Sequence, residues 1–203
     1  MFSKHRIEAL SDAIFAIVMT LLVLDLKVPD TIPAAGLLAA LAQDSATWYS
    51  FFLTFLLASV YWVLQHQVFD LLESVSNKTL SFTFLFLGFI TLLPFSTALM
   101  GHHPEPLSIA IYFANQFGIG VSLTLKLETA RALNHIHAGF EMKVMSVRLY
   151  SLCIIMAGST LAPLLLSNHR FWIAPLILVA LSRTVRTILM RHWKKQGLVV
   201  TAS

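Results

Sequence analysis

Charged side chains are scarce in this 203-residue chain. Asp, Glu, Lys and Arg make up 12% of the residues and hydrophobic residues make up 57%. A soluble domain carries roughly 25% charged residues. The composition therefore excludes a soluble globular domain and predicts an integral membrane protein. We interpret the net charge of +4 as a sign of membrane topology and of contact with anionic lipid, and we expect no nucleic-acid partner.

Cysteine and the common catalytic motifs are also nearly absent. The single cysteine, Cys153, excludes a disulfide within the chain and is interpreted as a packing residue. There is no G-x-S-x-G, P-loop or dinucleotide fingerprint, and no pair of carboxylates at hydrolase-like spacing in an apolar segment. We expect neither enzyme activity nor a cofactor. The Thr-Val-Gly-Tyr-Gly loop of ordinary potassium channels is missing too, so any ion filter must be built from side chains.

What the chain does contain is apolar segments of about the 20 residues that a membrane-spanning helix needs. Their pattern predicts an all-α membrane protein with six spans in a single domain, residues 1–203. Arg183 and Arg186 in the last turns of the sixth segment must reach the interface or find partners. The segments are Ile7–Leu26, Thr47–Val68, Leu80–Leu99, Leu107–Leu127, Leu149–Leu166 and Phe171–Leu189.

The basic residues predict the orientation of the six spans. Twelve of the 14 lysines and arginines fall on one side of the membrane, Lys126 among them, and only Lys27 and Arg170 fall on the other. The positive-inside rule places both termini in the cytoplasm, and we expect the protein in the cell membrane.

The connections between the spans carry their own signals. A short amphipathic helix is expected at 34–43 in the external loop, and Pro94 is expected to kink or end the third span. The cytoplasmic connector from Lys126 to Arg148 is interpreted as a continuation of the fourth span followed by a turn at Ala138-Gly139.

The first span, at about residues 6–27, is unusual because it carries ionisable groups into an apolar helix. At 100° per residue, Leu10, Ala13, Ile17, Leu21 and Leu24 share one face with Thr20 at its edge. The polar patch of Glu8, Ser11 and Asp12 lies on the opposite side. A cleaved signal peptide fits the basic start but not the two early acids.

Ionisable groups at membrane depth have to be satisfied inside the protein. We expect Arg6, Asp12 and His66, with Trp62 or Asn77, to form a hydrogen-bond network at the cytoplasmic ends of the first three spans. Two interpretations stay open for this network: it joins the helices together, or it takes part in gating.

Histidines elsewhere raise the question of metal binding. His102 and His103 stand beside Glu105, and His135 and His137 form a second pair. Neither pair has the i, i+4 spacing of a strong zinc motif, so both are interpreted as polar loop residues and no metal site is predicted.

Arg6-x-x-x-Leu10-Ser11-Asp12, with Ile17 five residues and Thr20 eight residues after Asp12, resembles the first-helix signature of the lysosomal and endosomal potassium channel family, also called the transmembrane protein 175 family. In that family the motif reads Arg-x-x-x-Phe-Ser-Asp, so Leu10 is a departure. The resemblance extends to Tyr61-Trp62-x-x-Gln65-His66 and to the neighbourhoods of Asn77 and Pro94. Its prokaryotic members are six-helix chains of about this length.

The resemblance implies a homotetramer in the lipid bilayer, with one pore lined by the first helix. Carried over by position, Ile17 forms an apolar constriction, and Thr20, Leu21 and Leu24 line the path above it. Arg6, Ser11, Asp12 and His66 correspond to the family's interhelical network.

These observations lead to the hypothesis of a cation channel that conducts K⁺ in preference to Na⁺ and closes by dewetting at Ile17. Asp25, about 80° from the apolar face, would supply a ring of carboxylates at the outer mouth if it turns inward. The alternatives are a proton-coupled secondary transporter that uses Asp12 and His66 as a relay, and an accessory membrane subunit without transport activity.

Overall fold

The computed structural model describes residues 3–27, 36–136 and 140–166, and this part of the chain is almost entirely helical. A 3₁₀ turn, Leu22–Asp25, continues the first helix. The helices are α1 Lys4–Leu21, α2 Leu37–Gln43, α3 Ser45–Leu71, α4 Asn77–Thr91, α5 Leu93–His102, α6 Pro106–Ala132 and α7 Phe140–Leu166.

Five helical stretches are long and apolar enough to cross a membrane: Lys4–Asp25, Ser45–Leu71, Asn77–His102, Pro106–Ala132 and Glu141–Leu165. They match the first five predicted spans and confirm the all-α architecture. The sixth predicted span, Phe171–Leu189, and the turn predicted at Ala138-Gly139 lie outside the described residues.

Local sequence sets where several helices begin. The hydroxyl of Ser3 accepts a bond from the Arg6 backbone at 3.4 Å, and that of Ser76 accepts one from Thr79 at 3.1 Å. Both are N-caps, which satisfy backbone N–H groups that a helix leaves without internal partners. Pro106 occupies the first position of α6, where its missing N–H has no consequence.

The break predicted at Pro94 is confirmed. Helix α4 ends at Thr91, Leu92 forms a turn, and α5 restarts at Leu93. The proline ring cannot donate to the helix ladder and clashes with the preceding turn, which separates the third span into two helices. The short helix predicted at 34–43 is also present, at Leu37–Gln43.

The predicted bounds of the fifth span were wrong at its start. Helix α7 begins at Phe140, well before the expected Leu149. Met142, Met145 and Leu149 are all buried, so one packing face continues through the charged part of the connector. Hydropathy marks only the apolar part of such a helix, whereas helical packing extends beyond it.

Helix α6 lies at the centre of the bundle and packs against α4, α5 and α7. Between α3, α5 and α6, buried hydroxyls bond to one another: Thr54 Oγ1 lies 2.9 Å from Thr97 Oγ1 and 3.0 Å from Tyr112 Oη. Bonds of this kind across helices are a common means of association where lipid offers no hydrophobic driving force.

Gly101 lies where α5 passes close to α3. A Cβ at this position would lie 2.8 Å from Ser50 Oγ and 3.1 Å from Thr47 Cα, whereas a Cβ at Gly88 would meet nothing within 4 Å. The crossing of α5 and α3 therefore depends on a residue without a side chain at position 101.

Replacing Gly101 with Ala should lower the free energy of unfolding by about 1–3 kcal/mol, the usual cost of overpacking. Thermal unfolding in detergent measures the effect. Gly88→Ala is the matched control, and it should be neutral or slightly stabilising because Ala is the better helix former. Equal melting temperatures for the two variants would contradict the close approach.

Candidate functional site

Helix α1 presents two faces with different surroundings. Ile7, Ser11, Phe15 and Val18 are buried, and the Phe15 and Phe86 ring centroids lie 6.0 Å apart. This face packs on α3 and α4. It repeats at i, i+4, i+8 and i+11, the spacing of a helix packed along one side.

The other face of α1 is apolar and is left uncovered by the described residues. Ile17 is 59% exposed and Leu24 is 69% exposed, and Leu10 and Leu21 are exposed as well. These are residues of the face predicted from periodicity. We call Ile17, Thr20, Leu21 and Leu24 the α1 stripe. An exposed apolar surface of this kind marks a contact with lipid, with a pore or with another subunit.

Asp12 connects α1 to α3. Trp62 Nε1 donates to Asp12 Oδ1 at 2.9 Å, and His66 Nε2 lies 3.3 Å from the same oxygen. His66 Nδ1 lies 3.0 Å from the Trp62 carbonyl. Both ring nitrogens of His66 therefore face acceptors, and both contacts are hydrogen bonds only when the ring carries two protons.

Two of the predicted network residues lie elsewhere. Arg6 and Asn77 are both exposed at the starts of α1 and α4. Within the described ranges, the side chains of Arg6 and Asn77 donate no hydrogen bond to Asp12, Trp62 or His66. The network that the structure brings together is thus smaller than the predicted one.

Ser11 belongs to a second, deeper connection. Its hydroxyl donates to the Ile7 carbonyl at 2.9 Å and accepts from Gln65 Nε2 at 3.5 Å. Gln65 Oε1 in turn accepts from Lys126 Nζ at 3.2 Å. The chain of bonds runs from α1 through α3 to α6.

Lys126, which the sequence analysis counts among the basic residues of one membrane side, is not an exposed charge. Lys126 is fully buried inside the bundle, and its ammonium lies 3.2 Å from the centroid of the Phe69 ring. A count of basic residues by segment cannot detect this burial, because Lys126 stands one residue before the end of an apolar run. A lysine at this position looks like a residue at the end of a span, and the sequence therefore does not indicate that it is buried.

Asp25, the residue predicted at the outer mouth, pairs with a histidine. His102 Nε2 lies 2.9 Å from Asp25 Oδ1, so the end of the first helix is joined to the end of α5. The two residues are 77 positions apart, and their pairing was not foreseen. The second carboxylate oxygen, Oδ2, is buried and has no partner among the described residues.

The candidate metal ligands are dispersed. His103 is exposed, His135 is part-buried beside the short bridge of Leu72 with Ile136, and His137 lies outside the described residues. In the part of the chain that the structure describes, no group of three or more His, Cys, Asp or Glu could hold a metal ion.

Comparison with known proteins shows a similarity to a recognised family. Residues 6–94 match the family model described as endosomal/lysosomal potassium channel TMEM175. A protein named potassium channel from Streptomyces collinus is 35% identical over 103 residues, 51% of this chain and 50% of that one. Another, from Chamaesiphon minutus, is 35% identical over 117 residues, 55% of this chain and 58% of that one. The chain thus spans about half the length of the curated relatives it matches.

The fold is similar over a longer range. The crystal structure of a lysosomal potassium-selective channel TMEM175 homolog from Chamaesiphon minutus covers 88% of this chain with a TM-score of 0.71 and 24% identity, and 97% of that structure is matched. At this identity the likeness establishes the fold.

The fold and the site together define a multi-pass α-helical membrane protein whose first helix leaves an apolar face uncovered. The relatives named above are channels and not enzymes, as the sequence predicted. Residues 6–94 of the chain are similar to the TMEM175 family.

Replacing Asp12 with Ala removes the acceptor shared by Trp62 and His66. Because the Asp12 side chain is partly exposed, we expect a modest loss of about 1 kcal/mol in the free energy of unfolding. Thermal unfolding in detergent measures it. Asp70→Ala, which removes an exposed carboxylate from α3, is the control and should change little. Equal losses in both variants would show that Asp12 does not hold the two helices.

Proposed function

We propose that this protein is a homotetrameric cation channel that conducts K⁺ in preference to Na⁺ and whose pore is lined by α1. The observation that carries the proposal is the α1 stripe, an apolar face left uncovered beside a face that is fully packed. Relatives named potassium channels support the choice of ion.

A pore on a single helix needs several copies around one axis. Cyclic symmetry brings the same surface of each subunit to that axis. The stripe lies in the last turns of α1 and the 3₁₀ turn that follows, and the described residues leave it uncovered. Four copies would therefore supply an apolar lining at this end of the helix. The polar connections of Asp12 and Ser11 fix the rotation of α1. A helix that only faces lipid has no need of them.

Ile17 is the proposed constriction. A ring of isoleucine side chains supplies no ligands for an ion, so water is expelled when the ring is narrow and the pore closes by dewetting. Selectivity at such a site is modest, because alkyl groups cannot replace a hydration shell.

Thr20 supplies the nearest polar atoms. Its hydroxyl lies 2.9 Å from the Ala16 carbonyl and 2.8 Å from the Ile17 carbonyl. The hydroxyl proton is therefore engaged by the helix, and the two lone pairs of the exposed Oγ1 are available to a cation one turn above the constriction.

Asp25 is proposed as an acidic residue at the outer mouth, where a ring of carboxylates raises the local cation concentration. The Asp25 carboxylate also contacts His102, so part of its charge acts on α5. We place both termini on the cytoplasmic side of the cell membrane, and the only ions assigned to the protein are permeant ones, K⁺ above Na⁺, with no cofactor.

A second candidate function rests on the contact between Asp12 and His66. A carboxylate and an imidazole 3.3 Å apart are suited to pass a proton, as a proton-coupled secondary transporter requires. The described residues contain no paired broken helices around a midplane site, which is less favourable to this candidate.

Replacing Ile17 with Asn should widen and wet the constriction. We expect faster flux and a lower K⁺ to Na⁺ permeability ratio, measured on purified protein in liposomes. Val23→Asn is the matched control, since Val23 is also exposed on the first helix but lies on another side of it. The control should retain the wild-type ratio.

The same assay separates the two functions. Passive K⁺-preferring flux that changes only in Ile17→Asn supports the channel. Flux that requires an imposed proton gradient and is abolished by Asp12→Asn supports the carrier, and unchanged flux in Ile17→Asn removes Ile17 from the constriction.

The oligomeric state gives an independent test. Native mass spectrometry of the purified protein should detect a particle of four chains, because a pore on α1 requires closed cyclic symmetry. A monomer or dimer that still transports K⁺ would contradict a central pore.

A further inference from the structure

Lys126 occupies an unusual position for a lysine. It is fully buried in α6, within a helix that spans the membrane. No carboxylate of the described residues lies within ion-pair distance, and the charged groups that act on it at longer range are Glu8 and Lys4. Its direct partners are the Gln65 amide oxygen and the Phe69 ring. A buried ammonium with so few partners is costly and needs an explanation.

The chemistry of the lysine determines which way the Gln65 amide points. In its protonated form Lys126 only donates hydrogen bonds, so the atom that faces it is then the amide oxygen, as the structure has it. The amide nitrogen is then directed to the opposite side, where it meets Ser11 Oγ at 3.5 Å. With a neutral partner in place of the lysine, the amide could turn over.

The orientation of the Gln65 amide also sets the direction of the hydrogen bonds at Ser11. Since its oxygen accepts from Gln65, its own proton is free to donate, and the Ile7 carbonyl receives it at 2.9 Å. With Lys126 protonated, every bond from α6 to the backbone of α1 therefore has one defined direction. Ser11 lies on the buried face of α1, and Ile17, about 120° away at 100° per residue, lies on the exposed stripe.

We propose that Lys126 is a positioning residue for the pore helix: through Gln65 and Ser11 it fixes the rotation of α1 and thereby the direction in which Ile17 points. This inference rests on the proposed function. Lys126 itself does not contact the stripe or a permeating ion. Rotation matters because a side chain that leaves the axis widens the constriction.

The experiment compares Lys126→Met with wild type in liposome flux. Methionine keeps an unbranched side chain in the same space and removes the donor. We expect a fall in the K⁺ to Na⁺ permeability ratio of roughly two- to tenfold, typical of residues that act through others. Lys143→Met removes a lysine from an exposed position on α7 and should leave the ratio unchanged.

A double variant tests whether the effect of Lys126 on the permeability ratio passes through Ser11. Ser11→Ala should lower the ratio by itself, and the double variant Ser11→Ala with Lys126→Met should lower it no further, because both changes interrupt one chain of bonds. Additive losses in the ratio, or a lower melting temperature with an unchanged ratio, would overturn the proposal and leave Lys126 a purely structural residue.

A variant that keeps the lysine paired covers the case in which Lys126→Met does not assemble. Gln65→Glu retains an acceptor for Lys126 but has no N–H for Ser11. A reduced ratio in this variant supports the proposal, and a wild-type ratio overturns it. Wild-type protein without K⁺-preferring flux would contradict the proposed function itself, whereas normal wild-type flux with an unchanged ratio in the assembled variants would contradict only the role of Lys126.

Discussion

A polar group inside a bilayer must find its partner within the protein, because the surrounding lipid offers none. Much of this structure follows from that constraint. Asp12 is placed beside Trp62 and His66, and Ser11 beside Gln65. Each contact joins α1 to α3 on one side of α1 only, so the helix is held along one face and left free along the other.

In the proposed channel, the asymmetry of α1 would link packing to permeation. A helix held only by apolar contacts can rotate and slide at little energetic cost, since lipid tails and side chains are similarly apolar. Directional hydrogen bonds remove that freedom. The Asp12 and Ser11 connections act on the N-terminal half of α1, and Asp25 with His102 acts on the C-terminal end of the first span. Together they hold the α1 stripe in one direction from end to end.

The prediction of the fold succeeded where apolar length or a strong local signal decides the outcome. Five spans, the break before Pro94 and the short external helix all follow from such signals. The start of α7 does not follow from such signals, since Met142 and Met145 continue a packing face through charged sequence. Hydropathy averages over all faces of a helix, whereas helix bounds depend on the single face that packs.

By itself, the sequence determined the membrane class, the helical architecture and the two faces of α1, because composition and the 3.6-residue repeat are local properties. Only the tertiary structure decided which polar groups meet. It paired Asp25 with His102, left Arg6 and Asn77 at the surface, and buried Lys126 against Gln65 and Phe69. These pairings depend on the rotation and depth of whole helices, which no pattern along a single segment specifies.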